Sequence, residues 1–261
     1  MNCKICNHDT DILFKTKVLN KYDVEYFKCR QCSFIQTEKP YWLDESYSSA
    51  ITQLDIGLVD RNYELSKKTS LIINTFFNKI SNFIDFAGGY GMFVRLMRDK
   101  GYHFYRQDKY CENIFAKHFD IIDTNIQKFE LATAFEVFEH LANPMQEIDE
   151  ILAYSDSISF STVLQPSNNV NPSNWWYVSP EIGQHIALYH YDSLKTIAEL
   201  KGLNLYSDGK YLHLLTKNKI NATLFKFLCH NKIANILFFL FGKKNNALVQ
   251  QDYEYLKNKI K

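Results

Sequence analysis

A chain of 261 residues and 30.7 kDa suffices for one full-size domain and a small appendage, hardly for two full-size domains. Basic residues exceed acidic ones by one (30 against 29), which excludes an affinity for nucleic acid resting mainly on phosphate neutralisation and leaves only a local patch. A hydrophobic content of 46% excludes global disorder, and nine glycines with five prolines exclude a collagen-like or low-complexity chain.

No apolar run occupies the first thirty residues, so no signal peptide is expected. The nearest approach to a membrane span, Ile233–Phe241, is far shorter than the roughly 20 apolar residues a spanning helix needs. Six cysteines, four of them in two tight pairs, fit metal binding in a reducing compartment, and the expected location is cytoplasmic. Cys3-x-x-Cys6 is followed, after 22 residues, by Cys29-x-x-Cys32. Two turns of this spacing supply the four tetrahedral thiolates that Zn²⁺ favours, and Ile12–Phe14 and Val24–Lys28 read as the hairpin strands of a zinc ribbon. The alternative is four free core thiols. A closed four-thiolate zinc would fold the module and do no chemistry. Beyond Pro40, Tyr41 and Trp42 an aromatic-studded polar stretch leads into a helix expected over Ser66–Ile80.

Three of the nine glycines, Gly88, Gly89 and Gly91, fall within four residues. They follow the strand-like Phe83-Ile84-Asp85-Phe86 and precede the amphipathic Met92–Lys100. Strand, glycine turn and helix together let backbone approach a ligand and turn helix amides toward it. The next strand, His103–Tyr105, ends near Asp108, where an acid can accept hydrogen bonds from a ribose diol. A nicotinamide fingerprint wants a third glycine where Val94 stands.

The stretch FIDFAGGYGMF (Phe83–Phe93) resembles motif I of class I S-adenosylmethionine-dependent methyltransferases, with Ala87 in place of the first glycine. Alanine is tolerated there if its φ stays negative. The resemblance runs from about Ile80 to Lys217 and implies a doubly wound, Rossmann-like α/β sheet with an antiparallel edge. It also implies a cofactor, S-adenosyl-L-methionine, against Asp85, Ala87, Gly88, Gly89, Tyr90, Gly91, Asp108 and Phe135. In such enzymes the acid matching Asp85 lies near the methionine moiety and the one matching Asp108 holds the ribose. The expected division is a zinc-binding module over 1–40, a helical linker or lid over 41–80, the methyltransferase domain over 81–217 and a helical extension over 218–261. Within the domain, Leu131–Phe135 and Ser157–Val163 are expected as strands, Pro144–Ala153 and Ser193–Lys201 as helices, and Leu203–Tyr206 with Tyr211–Thr216 as a hairpin turning at Gly209.

Glu136-x-x-Glu139-His140 would place two carboxylates and an imidazole on one face if the segment turns helically. His140 could then serve as a general base, the set could hold a divalent ion, or it could be a salt-bridged cap. The pattern resembles the E-x-x-E-H segment of metal-dependent methyltransferases of ubiquinone biosynthesis and small-RNA 3′-end modification. Those families add a later histidine, and His185 offers one here. Mg²⁺ or Mn²⁺ is the expected ion, the mixed oxygen–nitrogen set favouring Mn²⁺ or Fe²⁺. Trp175, Trp176 and Tyr177, in loop-like composition, are expected over the cleft, either stacking on a substrate or closing as a hydrophobic lid. The segment Trp175–Tyr189 also resembles its counterpart in methyltransferases of bacterial surface-polysaccharide clusters, which likewise carry a four-cysteine module.

The apolar Ile220–Phe241 reads as one or two helices broken near Asn231. It would pack on the domain, or on a second subunit, or lie in a membrane interface with its lysines at the headgroups. The expected function is methyl transfer to an oxygen of a sugar, nucleotide-linked sugar or phosphorylated group in capsule or O-antigen synthesis. RNA modification and a non-catalytic binding protein are the alternatives. Related carbon methyltransferases of deoxysugars carry a further large domain, whereas only 45 residues follow Thr216 here, which favours oxygen as the acceptor atom.

Overall fold

The structure, a computed structural model, describes residues 1–47, 54–166, 172–241 and 246–259. Two compact units form: one gathers Met1–Thr52, Phe135–Glu150 and Phe160–Asn218, the other Gln53–Ala134, Ile151–Ser159 and Lys219–Lys261.

The first unit carries the four paired cysteines. Strands β1 (Thr10–Val18) and β2 (Tyr22–Cys29) form an antiparallel hairpin, joined by β3 (Ile35–Thr37) and then by β8 (Ala187–Leu188). The hairpin expected from the sequence is therefore present but longer, and its sheet does not end at residue 40: Ile35 pairs with Leu188 and Gln36 with Ala187. Val18, Val24, Tyr26, Ile35 and Trp42 bury one apolar face together with Trp175, Tyr177, Val178, Ile186 and Leu188. The short helix α1 (Leu43–Ser46) follows Trp42. Strands β9 (Asn204–Ser207) and β10 (Leu212–Thr216) form the expected hairpin, and α5 (Tyr191–Lys201) precedes it.

The second unit carries the glycine turn, Gly88–Gly91. Strand β4 (Asn82–Phe86) lies parallel to β5 (His103–Gln107) on one side and to β6 (Leu131–Ala134) on the other. Phe83, Ile84, Phe104, Leu131 and Ala132 are fully buried, as strands covered on both faces require. Helix α2 (Leu58–Phe76) starts eight residues earlier than expected and stops at Phe77, whose extended backbone (φ −129°, ψ 164°) ends it. Helix α3 (Met92–Asp99) follows the glycine turn. Strand β7 (Ser157–Ser161) belongs to both units, preceded by α4 (Pro144–Leu152), and the sheet order is β5-β4-β6-β7-β10-β9. The sheet is mixed, parallel at β5-β4-β6 and antiparallel at β10-β9, as the α/β reading expects.

Beside β5 the order would continue with one more parallel strand, which is reduced to a single bridge between Arg106 and Asp120. No helix forms between them. Instead α8 (Val249–Lys259), absent from the sequence-based expectation, packs there: buried Asp252 accepts from Arg98 Nε (2.9 Å) and Nη2 (2.6 Å) and from Arg95 Nη2 (2.8 Å), and Tyr255 lies 5.6 Å from Phe119. Helices α6 (Ala222–Cys229) and α7 (Asn231–Phe241) break at His230, one residue from the expected point.

Candidate functional site

The glycine turn leaves β4 at Ala87, whose φ of +53° contradicts the negative value on which its tolerance was expected to rest. The family's glycine suits this left-handed backbone, and alanine carries its strain. Gly88 is required by space: a Cβ there would meet Asp85 Oδ2 at 2.6 Å and Arg106 Cγ at 2.9 Å. Gly91 (φ +83°) caps α3, and a Cβ would meet Asn113 Oδ1 at 2.5 Å. At Gly89, by contrast, nothing lies within 4 Å of a Cβ position, so the turn opens there. The first turn of α3 has no capping side chain and no acid, which leaves its amides to a ligand.

Asp108 stands just past β5. Its Oδ2 accepts from Gly89 N (2.9 Å) and its Oδ1 from Tyr110 N (2.8 Å) and Cys111 N (2.7 Å). Oδ1 thus has both acceptor sites filled while Oδ2 keeps one, so the carboxylate is fixed and can still take a hydroxyl at Oδ2. Arg106, which the sequence reading missed, is buried and latches the turn by donating to Gly89 O, Cys111 O (2.9 Å) and Asp120 Oδ1 (2.6 Å). Tyr90 contributes its carbonyl, accepting from Ile114 N and Phe115 N at 3.0 Å. Asp85 is buried, accepts from Thr133 Oγ1 at 2.6 Å, and is pushed up to about 7, chiefly by burial. Half-buried Phe135 directly follows β6. An open turn, a helix N-terminus without a capping side chain and a preset carboxylate fit an adenosyl cofactor with a carboxylate tail.

In the cysteine-bearing unit, Cys3 Sγ lies 3.6 Å from Cys32 Sγ, and Cys6 Sγ lies 3.5 Å from both Cys29 Sγ and Cys32 Sγ. Tetrahedral thiolates about 2.3 Å from one zinc ion sit about 3.8 Å apart, whereas a disulfide closes to about 2.0 Å. The amides of Ile5, Gln31 and Cys32 point at Cys3 or Cys29 sulfur at 3.4 Å, as donors do toward thiolates. The four sulfurs fit one zinc.

The same unit brings Glu139, His140 and His185 together, one ligand atom of each lying within 4.8 Å of the others. Glu139 is fully buried, and neither carboxylate oxygen has a donor at normal hydrogen-bonding distance, the Tyr177 hydroxyl acting on it only from farther off. His140 Nδ1 lies 3.1 Å from Gln184 O and His185 Nδ1 lies 2.5 Å from Tyr177 O. A carbonyl only accepts, so each Nδ1 carries the proton and each Nε2 keeps its lone pair. A carbonyl that accepts from the far ring nitrogen in this way holds a metal-ligating imidazole in one tautomer and orientation. A buried carboxylate lacking a donor, beside two imidazoles, fits a cation.

Two expectations about this rim change. Glu136 does not join the cluster: the helical turn begins only at Phe138, and Glu136 has φ +55°, so it shares no helical face with Glu139 and His140. Its Oε1 instead accepts from Ser161 Oγ (2.6 Å) and Tyr211 Oη (2.7 Å). The aromatic run also divides, since Trp175 and Tyr177 lie in the unit's core and only Trp176, 72% exposed, faces outward. Burial first, then the charges of Glu139 and Glu136, hold the Tyr177 phenol well above its ordinary value.

Sequence reasoning also missed Tyr47, whose hydroxyl lies 3.1 Å from His140 Nδ1. It is carried by α1, which two bonds strap to the 183–185 segment: Trp42 Nε1 donates to Gly183 O (2.8 Å) and Gln184 Nε2 to Ser46 O (2.7 Å). No local spacing announces a contact across 93 residues.

Residues 59–208 match the model of a family described as a methyltransferase domain, more than half of the chain. The chain belongs to this family. No curated protein matches the sequence. Solved structures similar to it include CalO1, a methyltransferase in calicheamicin biosynthesis with SAH bound (9% identity, 59% of this chain and 54% of that one, TM-score 0.41). Others are an O-methyltransferase family protein from Burkholderia thailandensis (10%, 69% and 64%, 0.45) and a SAM-dependent methyltransferase, possible histamine N-methyltransferase, from Thermotoga maritima (11%, 69% and 98%, 0.44). The chain spans less than two thirds of the length of the first two.

Proposed function

We propose that the protein is an S-adenosylmethionine-dependent O-methyltransferase whose acceptor oxygen is steered by a divalent cation. The unpartnered Glu139 carboxylate between two imidazoles of fixed tautomer carries this reading. When bound, S-adenosylmethionine supplies a methyl on a sulfonium, and a divalent ion supplies positive charge that lowers the cost of alkoxide character. Asp108 and the Gly88–Gly91 turn hold the nucleoside end, the α3 amides face its carboxylate, and Asp85 faces its cationic end. Glu139, His140 and His185 hold the ion, Mn²⁺ or Fe²⁺ suiting this donor set better than Mg²⁺. Positioning does the rest, because transfer is an in-line displacement between two held groups.

The four cysteines hold a structural zinc. The acceptor class, a sugar, nucleotide-linked sugar or phosphorylated group of surface-polysaccharide synthesis, is supported by the likeness of Trp175–Tyr189 and of the four-cysteine module to such methyltransferases. Trp176 is the exposed aromatic available to stack on such an acceptor. The test is methyl transfer from labelled S-adenosylmethionine to a nucleotide-sugar panel after exhaustive chelation, with each ion added back. Full turnover in chelator would sink the cation role. No transfer to any saccharide, with transfer to RNA, would move the acceptor class. Calorimetric titration of the cofactor tests binding apart from turnover: Asp108→Ala should weaken it by about 1.5–3 kcal/mol.

A further inference from the structure

Within the glycine-bearing unit, α7 packs Ala234 and Leu237 against Leu71 and Phe76 of α2 and Leu228 of α6. Its other side leaves Ile236 (60%), Phe239 (77%) and Leu240 (60%) exposed, and Phe227 of α6 is 48% exposed. Positions 232, 236, 239 and 240 share one helical face, so exposed Lys232 heads the same row. Solvent-facing phenylalanine and leucine in such a row are costly unless something apolar covers them.

Charge narrows what that cover is. From Gly209 to Gln251 the sequence holds seven lysines and no Asp or Glu, while the rest of the chain carries net −6. Lys217, Lys219, Lys226 and Lys232 are all exposed. On neighbouring α2, Glu64 is paired with Lys67, which also bonds Asn235 of α7; Asp55, just before that helix, is paired with Arg61, and Asp60 in its first turn is exposed. No helix among the described residues is long and apolar enough to cross a membrane. A second copy docked through the same face would oppose lysine to lysine. We infer that α6 and α7 form an interfacial foot that lies on an anionic lipid surface, with Ile236, Phe239 and Leu240 entering the acyl boundary and the lysines meeting the headgroups.

This inference stands apart from the methyl-transfer reading and is tested without turnover. Full-length protein is co-sedimented with vesicles of phosphatidylcholine alone and with vesicles containing phosphatidylglycerol. Binding to the anionic vesicles only, weakened by high salt, is expected. Phe239→Ser with Leu240→Ser should abolish it, with unchanged circular dichroism showing that the exposed face was altered and not the fold. Lys226→Glu and Lys232→Glu should each weaken it at least about fivefold. Binding to neither vesicle, or equally to both, overturns the inference. So does a concentration-dependent dimer, without vesicle affinity, that the same apolar substitutions disperse.

Discussion

Cys3, Cys6, Cys29 and Cys32 come from two turns at the ends of one hairpin, whereas Glu139 and His140 meet His185 across 45 residues of chain and Tyr47 across 93. The cysteine group is closed, each sulfur facing other sulfurs or backbone amides. The carboxylate–imidazole group is open, with a buried carboxyl that no donor reaches at normal hydrogen-bonding distance. One arrangement suits an ion that holds the fold; the other suits an ion that must still reach a substrate. Removing the donors one at a time separates them.

The largest effect belongs to the thiolates. Cys29→Ser with Cys32→Ser should cost the sheet β1-β2-β3-β8 its order, because structural zinc contributes about 10 kcal/mol or more to such modules. Hydrogen exchange across residues 3–37 reads this, and metal analysis of native protein should find about one zinc per chain. A zinc-free protein with four titratable thiols and unchanged exchange would break the comparison at its first term.

Legibility follows the same divide. The cysteine pairs and the Asp85–Gly91 turn are local in sequence, and their elements lie within a few residues of where periodicity and spacing put them. The rim was half legible. Spacing suggested a helical face for Glu136, but a positive φ two residues before the 3-10 turn removes it, and nothing in a single sequence reports that torsion. Pairing of β3 with β8 and docking of α8 through Asp252 were hidden for another reason. Both depend on partners more than 140 residues away, and an Asp in a polar helix looks like any solvated acid until Arg95 and Arg98 close on it.

Asp85 in the glycine-bearing unit supplies the control for Glu139, because it is a buried carboxyl that does have a donor, Thr133. Its folded value of about 7 stands above the 3.8 of an unfolded aspartate, so between these values the folded state keeps a proton that the unfolded state has lost. Stability should therefore fall as pH rises from about 4 to about 7 and level off above, by on the order of 4 kcal/mol in all. Asp85→Asn should flatten that slope in thermal melts. If Asp85 faces the cationic end of the cofactor, wild-type affinity should rise through the same window, and a pH-independent affinity would separate Asp85 from the ligand.

Glu139→Gln should act in the opposite sense with and without metal. In chelator the amide replaces a buried carboxyl that lacks a close donor, and the melting midpoint should rise, by about 2 kcal/mol in stability. With Mn²⁺ present the wild type should regain that difference, since an ion bound only to the folded state stabilises it. Equal stabilities in both conditions would mean that another group already compensates the carboxylate, and the open arrangement would then be closed after all.

The smallest effect tests the cofactor turn itself. Ala87 sits at φ +53°, where an L side chain crowds the following carbonyl at about 1–2 kcal/mol. Glycine would relieve that strain but bring more backbone freedom to the unfolded chain, which returns about 0.5–1 kcal/mol. The net expectation for Ala87→Gly is a gain of no more than about 1 kcal/mol, read from denaturant midpoints at unchanged slope. Because Asp108 and Arg106 already pin Gly89 from both sides, cofactor affinity should move less than stability does. A large gain in affinity would mean that the strain at Ala87 is held off the binding geometry only when the methyl is gone, so that the turn is looser than its hydrogen bonds imply.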